Sequence, residues 1–315
     1  MTERSIEKIL KSNLMLSPLA GYTDAGFRAL AKDFGCGLTV TEMVSAKGLA
    51  MNNRVSHDLL YVAEEGPVAA QLFGNDPDAF AEALKKPCFD RFEIIDINMG
   101  CPQKKIVGNG EGCALMADVK RAEKIILAVR KSTDKLVTVK FRKGYGDENT
   151  AAEFAKMCEG AGADAITVHG RTSKEMFSGR ADWRVIADAV SAVKIPVFAN
   201  GDIACREDYL KVKETTGCFG AAVGRGAMGK PYVFAEIAGK AYTFDTCAAI
   251  KKHFDILLSF LPERLCVNEM KKHICCYLKG VRGSRKAMPL LQRAETAEET
   301  LRLVREFLSQ CEASV

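Results

Sequence analysis

The chain has 315 residues, 48% of them hydrophobic, and a net charge of +5. That length and apolar share support a sizeable core, either one large α/β domain with an appendage or two medium domains, and they exclude a disordered chain. The mild charge permits an anionic partner without demanding one, and twelve cysteines with no paired spacing, two of them adjacent at Cys275-Cys276, argue against a disulfide scaffold. No Cys-x-x-Cys pair has a matching partner pair, so no zinc or other metal is expected. The opening MTERSIEKIL lacks the apolar region of a signal peptide, and no apolar run approaches roughly 18 residues. A soluble, reduced, cytoplasmic protein is the expectation.

From the N-terminus, short apolar runs alternate with amphipathic stretches. Strands are expected at 15–19, 38–43, 68–73, 93–98, 136–141, 165–169, 197–200 and 220–223. The clearest helical patterns fall between them, at 25–34, 77–85, 119–131, 150–160, 183–190 and 206–215. Eight β-then-α units point to an α/β fold of the (β/α)8 TIM-barrel type. A doubly wound open sheet is the alternative, because closure of a sheet leaves no mark in a sequence. An echo between GADAITVHGR (162–171) and GCFGAAVGR (217–225) supports a repeated unit. Beyond the barrel the strand signals cease, and 248–261, 267–278 and 295–309 read as helices with one apolar face. The expected division is a barrel domain at 1–241 and a small all-α C-terminal domain at 242–315. The latter holds 12 Lys/Arg against 9 Asp/Glu, and its 271–286 segment carries six cations and no acid.

In a barrel, catalysis gathers where the strands end at their C-terminal side. Those ends are polar here: Glu42, Gln71, Asn98, Lys140, His169 and Asn200. Alternation along the strand puts Lys140 and Arg142 on one face, and His169 and Arg171 likewise. A lone polar strand end is ordinarily a satisfied hydrogen-bonding group, but six such ends are better explained by one shared site. Asn200-Gly201-Asp202 and Gly224-Arg225-Gly226 follow the last two strands, where barrels commonly hold phosphate; glycines admit an anion to backbone N–H groups and Arg225 adds a bidentate contact. The run GRGAMG (224–229) also fits G-x-G-x-x-G, but no further strand follows to supply the ribose-binding acid of a Rossmann site.

Cys101 is the most pointed residue. A buried-looking strand stops at Gly100-Cys101-Pro102, which holds the thiol at the lip of the strand before a glycine-rich, cationic loop. A phosphate-anchored cofactor with Lys140 beneath it suggests flavin mononucleotide, FMN: an ammonium offsets negative charge at the N1–C2=O edge of a reduced ring, with Gln71 bonded to the same ring. An ordinary thiol has a pKa of about 8.5 and is mostly protonated at neutral pH, so Cys101 reads as an acid. Hydride and proton together would reduce a carbon–carbon double bond.

Ser17-Pro18-Leu19-Ala20-Gly21-Tyr22-Thr23-Asp24, Asn98-Met99-Gly100-Cys101-Pro102, Val168-His169-Gly170-Arg171-Thr172, Ala199-Asn200-Gly201-Asp202-Ile203 and Gly224-Arg225-Gly226 resemble the signature segments of the tRNA-dihydrouridine synthase family. The resemblance covers barrel and helical tail alike. It implies an FMN-dependent oxidoreductase that uses NADPH to reduce chosen uridines of tRNA to 5,6-dihydrouridine, with an FMN-binding barrel and a tRNA-binding helical domain. It implies Cys101 as proton donor to the uracil C5. Pro18, Leu19, Ala20, Gln71, Lys140, Asn200, Gly201, Asp202, Gly224 and Arg225 correspond to flavin contacts. His169 and Arg171 match residues lining the flavin and substrate pocket, and Asn98 matches a uracil contact. The family usually has Met where Leu19 stands; the contact is largely backbone and apolar, so flavin binding should survive. Cys113 stands where Ser or Ala is common, and no role is assigned to it.

On this reading the 271–286 stretch, with Arg282 and Arg285, becomes a phosphate-contact surface, joined by Lys104 and Lys105 beside the thiol. Arg142 and Arg171 are expected to neutralise phosphates flanking a uridine turned outward from folded tRNA. Three other readings compete: a Schiff-base lyase built on Lys140, a dihydroorotate dehydrogenase-like flavin barrel, and a non-catalytic RNA-binding protein. Flavin absorbance would argue against the first and borohydride trapping on Lys140 for it, the basic helical tail speaks against the second, and the third would tolerate Cys101→Ala.

Overall fold

The computed structural model describes residues 5–64 and 66–312. Eight parallel strands close into a barrel: β1 (Leu14–Leu16), β2 (Leu38–Val40), β3 (Val68–Phe73), β4 (Ile94–Met99), β5 (Leu136–Arg142), β6 (Ala165–His169), β7 (Val197–Asn200) and β8 (Gly220–Val223). Each pairs with the next, and closure is made by β8 on β1, with Met15 opposite Ala222. The (β/α)8 expectation therefore holds, and the open-sheet alternative falls. The strands are rich in Val, Ile and Ala because their outward faces pack under helices while their inward faces fill the barrel.

Two expected strands are shorter than the apolar runs suggested, for local reasons. β1 stops at Leu16: Ser17 still donates its N–H to Val223, but Pro18 has none to give. β2 stops at Val40 because the Thr41 hydroxyl, not a strand carbonyl, accepts from the Gln71 N–H; a two-residue strand, Val44–Ser45, then rejoins β3.

The covering helices start where the sequence signals starts. Asp24, Asp76 and Asp118 accept from backbone N–H groups in the first turns of Ala25–Asp33, Pro77–Leu84 and Val119–Ser132, and Pro77 opens its helix. Among the described residues, four helices follow the barrel: Thr246–Leu258, Glu263–Tyr277, Ser284–Leu291 and Ala297–Glu312. The third went unpredicted because Pro289 interrupts its pattern. Among the described residues no helix is long and apolar enough to cross a membrane.

The helical region is keyed to the barrel at Asp24, which caps the helix following β1. Its Oδ1 lies 2.8 Å from His253 Nε2, and its Oδ2 lies 2.9 Å from His273 Nε2, the second contact close but poorly aligned. The Tyr277 hydroxyl bonds His253 Nδ1 at 3.1 Å. Asp and two His could serve a metal, yet these are hydrogen-bonding separations, and the group reads as a polar latch. Burial opposes ionisation of Asp24, but the two imidazoles hold its carboxyl well below the usual range. Gly26 makes the approach possible, since a Cβ there would stand 2.2 Å from the His253 ring. Nearby, Tyr61 stacks on Phe260 with ring centroids 3.9 Å apart.

Candidate active site

Strand alternation sorts the barrel interior. Ala69, Ile94, Leu136, Ala165 and Phe198 make an apolar floor. Above it, inward positions turn polar: Gln71 on β3, Asp96 and Asn98 on β4, Thr138, Lys140 and Arg142 on β5, Thr167 and His169 on β6, and Asn200 on β7. The polar positions open into a cavity of about 1020 Å³ at the C-terminal ends of the strands. That is at the upper end for small-molecule sites, roughly 300–1,000 Å³, and leaves room for two ligands side by side.

Cys101 lines this cavity, two residues beyond the end of β4. Its loop is pinned by Asn98, whose Oδ1 accepts from the N–H groups of Gly100 (3.2 Å) and Cys101 (3.0 Å). The Asn98 Nδ2 donates to Gln71 Oε1 at 2.8 Å. Burial pushes the Cys101 thiol up, against the smaller opposing pull of nearby cations, so it is protonated at neutral pH. Cys113 donates its N–H to the Cys101 carbonyl, but its own thiol is fully buried and burial pushes it up to about 11.

Lys140 reaches across the floor to Asn200 Oδ1 at 3.0 Å, and Asn200 Nδ2 in turn donates to the Ala222 carbonyl at 2.7 Å. Burial, helped by Arg142, lowers Lys140 to about 8. It is thus a cation at neutral pH held with little solvation, well suited to negative charge developing on a neighbour. His169 is neutral: burial and the surrounding cations push its pKa well below the ordinary value. Arg171 Nη1 lies 3.4 Å from His169 Nε2 and can only donate, so that nitrogen is the acceptor.

The far side of the cavity is built by the loops after β7 and β8. Gly201 has φ +114, and a Cβ there would lie 2.6 Å from Ala181 and 2.9 Å from the His169 ring. Asp202 accepts both 2.8 Å bonds from Arg171 Nη2. Arg225 stays half-exposed, 3.5 Å from Asp202 and with its guanidinium 5.3 Å from the centre of the Phe177 ring. With Gly224 and Gly226 beside it, this end suits a phosphate.

All eleven residues expected to bind cofactor, together with Cys101, Asn98, Arg142 and Arg171, meet around this one cavity. Four do not: Lys104, Lys105, Arg282 and Arg285 are exposed on the surface outside it. Glu42, also a polar strand end, turns instead to the Gly21 N–H.

Arg142 and Arg171, expected at substrate phosphates, are engaged by the protein itself. Arg142 is 3% exposed and donates to the carbonyls of Gly100, Thr172 and Met176, each at 2.8 Å. Arg171 is 1% exposed and engages Ser178, Gly179 and Asp202. Both guanidinium groups brace the walls. Exposed cations stand at the rim: Lys279, from the basic 271–286 stretch, and Lys230, which the sequence did not single out. Cys276, Lys279 and Gly280 bring the helical region into the cavity wall, and Phe177 stands 43% exposed at its mouth.

The dihydrouridine synthase (Dus) family model matches residues 15–312. The chain is 40% identical over 291 residues to a probable tRNA-dihydrouridine synthase of Rickettsia prowazekii (strain Madrid E), covering 87% of this chain and 88% of that one. It is 36% identical over 310 residues to tRNA-dihydrouridine synthase B of Pseudomonas syringae pv. tomato, covering 95% and 92% of the two chains. With the namesake protein of Pseudomonas aeruginosa it shares 36% over 312 residues, covering 96% and 94%. The chain belongs to the dihydrouridine synthase family.

Proposed function

We propose that this chain is an FMN-dependent tRNA-dihydrouridine synthase, reducing the C5=C6 bond of chosen uridines in tRNA with NADPH as reductant. One arrangement supports the reading above all. The Cys101 thiol and the Lys140 ammonium, from neighbouring strand ends, share a cavity whose opposite side carries Gly224 and Arg225. The donor set fits the cofactor: Gly201, Gly224 and Arg225 suit its phosphate, with Asp202 orienting Arg225. Pro18, Leu19 and Ala20 offer an apolar edge, Gln71 and Lys140 face the polar edge of the ring, and neutral His169 lines the pocket.

FMN bound there would supply the hydride that reaches C6 of the uracil. Cys101 supplies the proton: its S–H bond breaks, a C5–H bond forms, and the thiolate recovers a proton from water. Burial keeps the thiol loaded for that step. Asn98, whose second amide hydrogen meets only the weakly accepting Met43 sulfur at 3.7 Å, is suited to a uracil carbonyl. The exposed Lys104, Lys105, Arg282 and Arg285, with Lys230 and Lys279 at the rim, would meet tRNA phosphates while the uridine is turned into the cavity. The cytoplasmic tRNA pool is where such an enzyme would work.

The test is direct. Purified protein loaded with FMN is incubated with NADPH and unmodified tRNA, and dihydrouridine is mapped site by site. Position-specific dihydrouridine with matching NADPH oxidation is expected. Bound tRNA that stays unmodified under those conditions overturns the proposal.

A further inference from the structure

Asp96 occupies the inward position on β4 below Asn98, is 4% exposed, and has no part in the chemistry assigned above. Its Oδ2 accepts from Gln71 Nε2 at 2.6 Å, and its Oδ1 accepts from the Thr138 hydroxyl. An ionised carboxylate only accepts, whereas an amide has one donating end and one accepting end. Asp96 therefore forces the Gln71 amide to turn its NH2 inward and its Oε1 outward. That oxygen takes the Asn98 Nδ2 at 2.8 Å, which leaves Asn98 Oδ1 to hold the N–H groups of Gly100 and Cys101. Reversing either amide would set NH2 against NH2 or carbonyl against carbonyl in a buried place, so the chain of polarity has one stable sense.

We propose that Asp96 is a positioning residue that, through the amides of Gln71 and Asn98, seats the Cys101 loop for proton delivery. The claim rests on the reading of Cys101 as donor. The barrel interior thus uses a carboxylate remote from the substrate to hold a thiol that cannot be fixed by packing alone, since it must stay open to the cavity.

Two substitutions separate polarity from shape. Asp96→Asn can still present Oδ1 to Gln71 and turn its Nδ2 to the Thr138 oxygen, so it preserves the relay. Asp96→Leu fills similar space and removes it. The readout is hydrogen exchange of the Gly100 and Cys101 amides in FMN-loaded protein without tRNA or NADPH, with the amides of β6 and β7 as internal reference. Asp96→Leu should exchange about tenfold faster at Gly100 and Cys101 alone, as expected for about 1.4 kcal/mol of lost local protection. It should also lower kcat for uridine reduction with the KM for tRNA unchanged, while Asp96→Asn stays near wild type in exchange. Gln71→Met breaks the next link and should reproduce the exchange pattern should Asp96→Leu fail to fold. Unchanged protection in Asp96→Leu or Gln71→Met, uniform loss across the barrel, or equal damage from Asp96→Asn would each overturn the relay. Because exchange is read without turnover, failure of the relay and failure of the uridine-reduction reading are told apart.

Discussion

Arg142→Met separates two roles for a cationic residue at the cavity wall. As a phosphate ligand, Arg142 would add to tRNA affinity and little to stability. The structure has its guanidinium donating to the carbonyls of Gly100, Thr172 and Met176, each at 2.8 Å, inside a side chain that is 3% exposed. A hydrogen bond from a charged donor contributes about 1.5–3 kcal/mol net. The three share one group, and the carbonyls can partly relax, so the losses do not simply add. About 3–5 kcal/mol is expected, in line with removing one partner of a buried charged contact. Methionine keeps the apolar stem, so the loss is electrostatic rather than a cavity effect.

Urea unfolding followed by circular dichroism and by the single tryptophan gives the stability change, read as a lower midpoint at constant slope. Trp183 is a local reporter, since its Nε1 donates to the Gly201 carbonyl at 3.0 Å. Salt dependence of tRNA binding gives the competing quantity. A lost phosphate contact lowers the slope of log affinity against log salt by about one unit. The wall-brace role predicts an unchanged slope. A variant that loses less than about 1 kcal/mol while its slope falls by a unit would refute it.

Cys101→Ala should reduce uridine turnover by about 10²–10⁴ with tRNA affinity unchanged, as for a placed general acid; unchanged turnover removes Cys101 from the mechanism. Lys140, lowered to about 8, is charged below that pH and neutral above it, so its stabilisation of negative charge is present at pH 7 and lost as pH rises through 8. Lys140→Met should therefore lower the midpoint potential of bound flavin by about 60 mV at pH 7, from roughly 2.7 kcal/mol of lost stabilisation, and narrow the gap to wild type above pH 8; spectroelectrochemistry decides it. Replacing Arg282 and Arg285 together by Ala should lower the salt slope of tRNA binding by about two units while NADPH still reduces the flavin, and an unmoved slope makes them an ordinary solvated face.

The parts of the site that the sequence made legible are those written in strand period. Gln71, Asn98, Lys140, His169 and Asn200 interrupt apolar runs at inward positions, and a polar residue in such a place needs a partner or a ligand. Asp96 obeys the same logic and was passed over, although a carboxylate inside EIIDINMG is the least solvable residue of that strand. The contacts of the arginines were hidden for a different reason. Their partners are backbone carbonyls of the loop after β6, and a loop's carbonyl directions are set only once it has folded. The wall formed by Cys276, Lys279 and Gly280 was equally hidden, because it depends on how one helix docks on the barrel.

That docking carries a consequence for substrate choice. The Asp24 carboxylate that caps the helix after β1 is the same group that holds His253 and His273 of two different C-terminal helices. The run from Ser17 to Asp24 therefore joins two duties within eight residues: Pro18, Leu19 and Ala20 line the cavity, and Asp24 sets the helices that complete it. His273 and Lys279 lie in the segment where Glu263–Tyr277 runs out toward the rim, so fixing the imidazole fixes the lysine's base. The latch thus ties Lys279 to the barrel through the folded chain, while Lys230 belongs to the barrel itself. Since phosphate contacts orient a nucleic acid without reading its bases, the choice of uridine would then rest on geometry between the latch and the cavity floor.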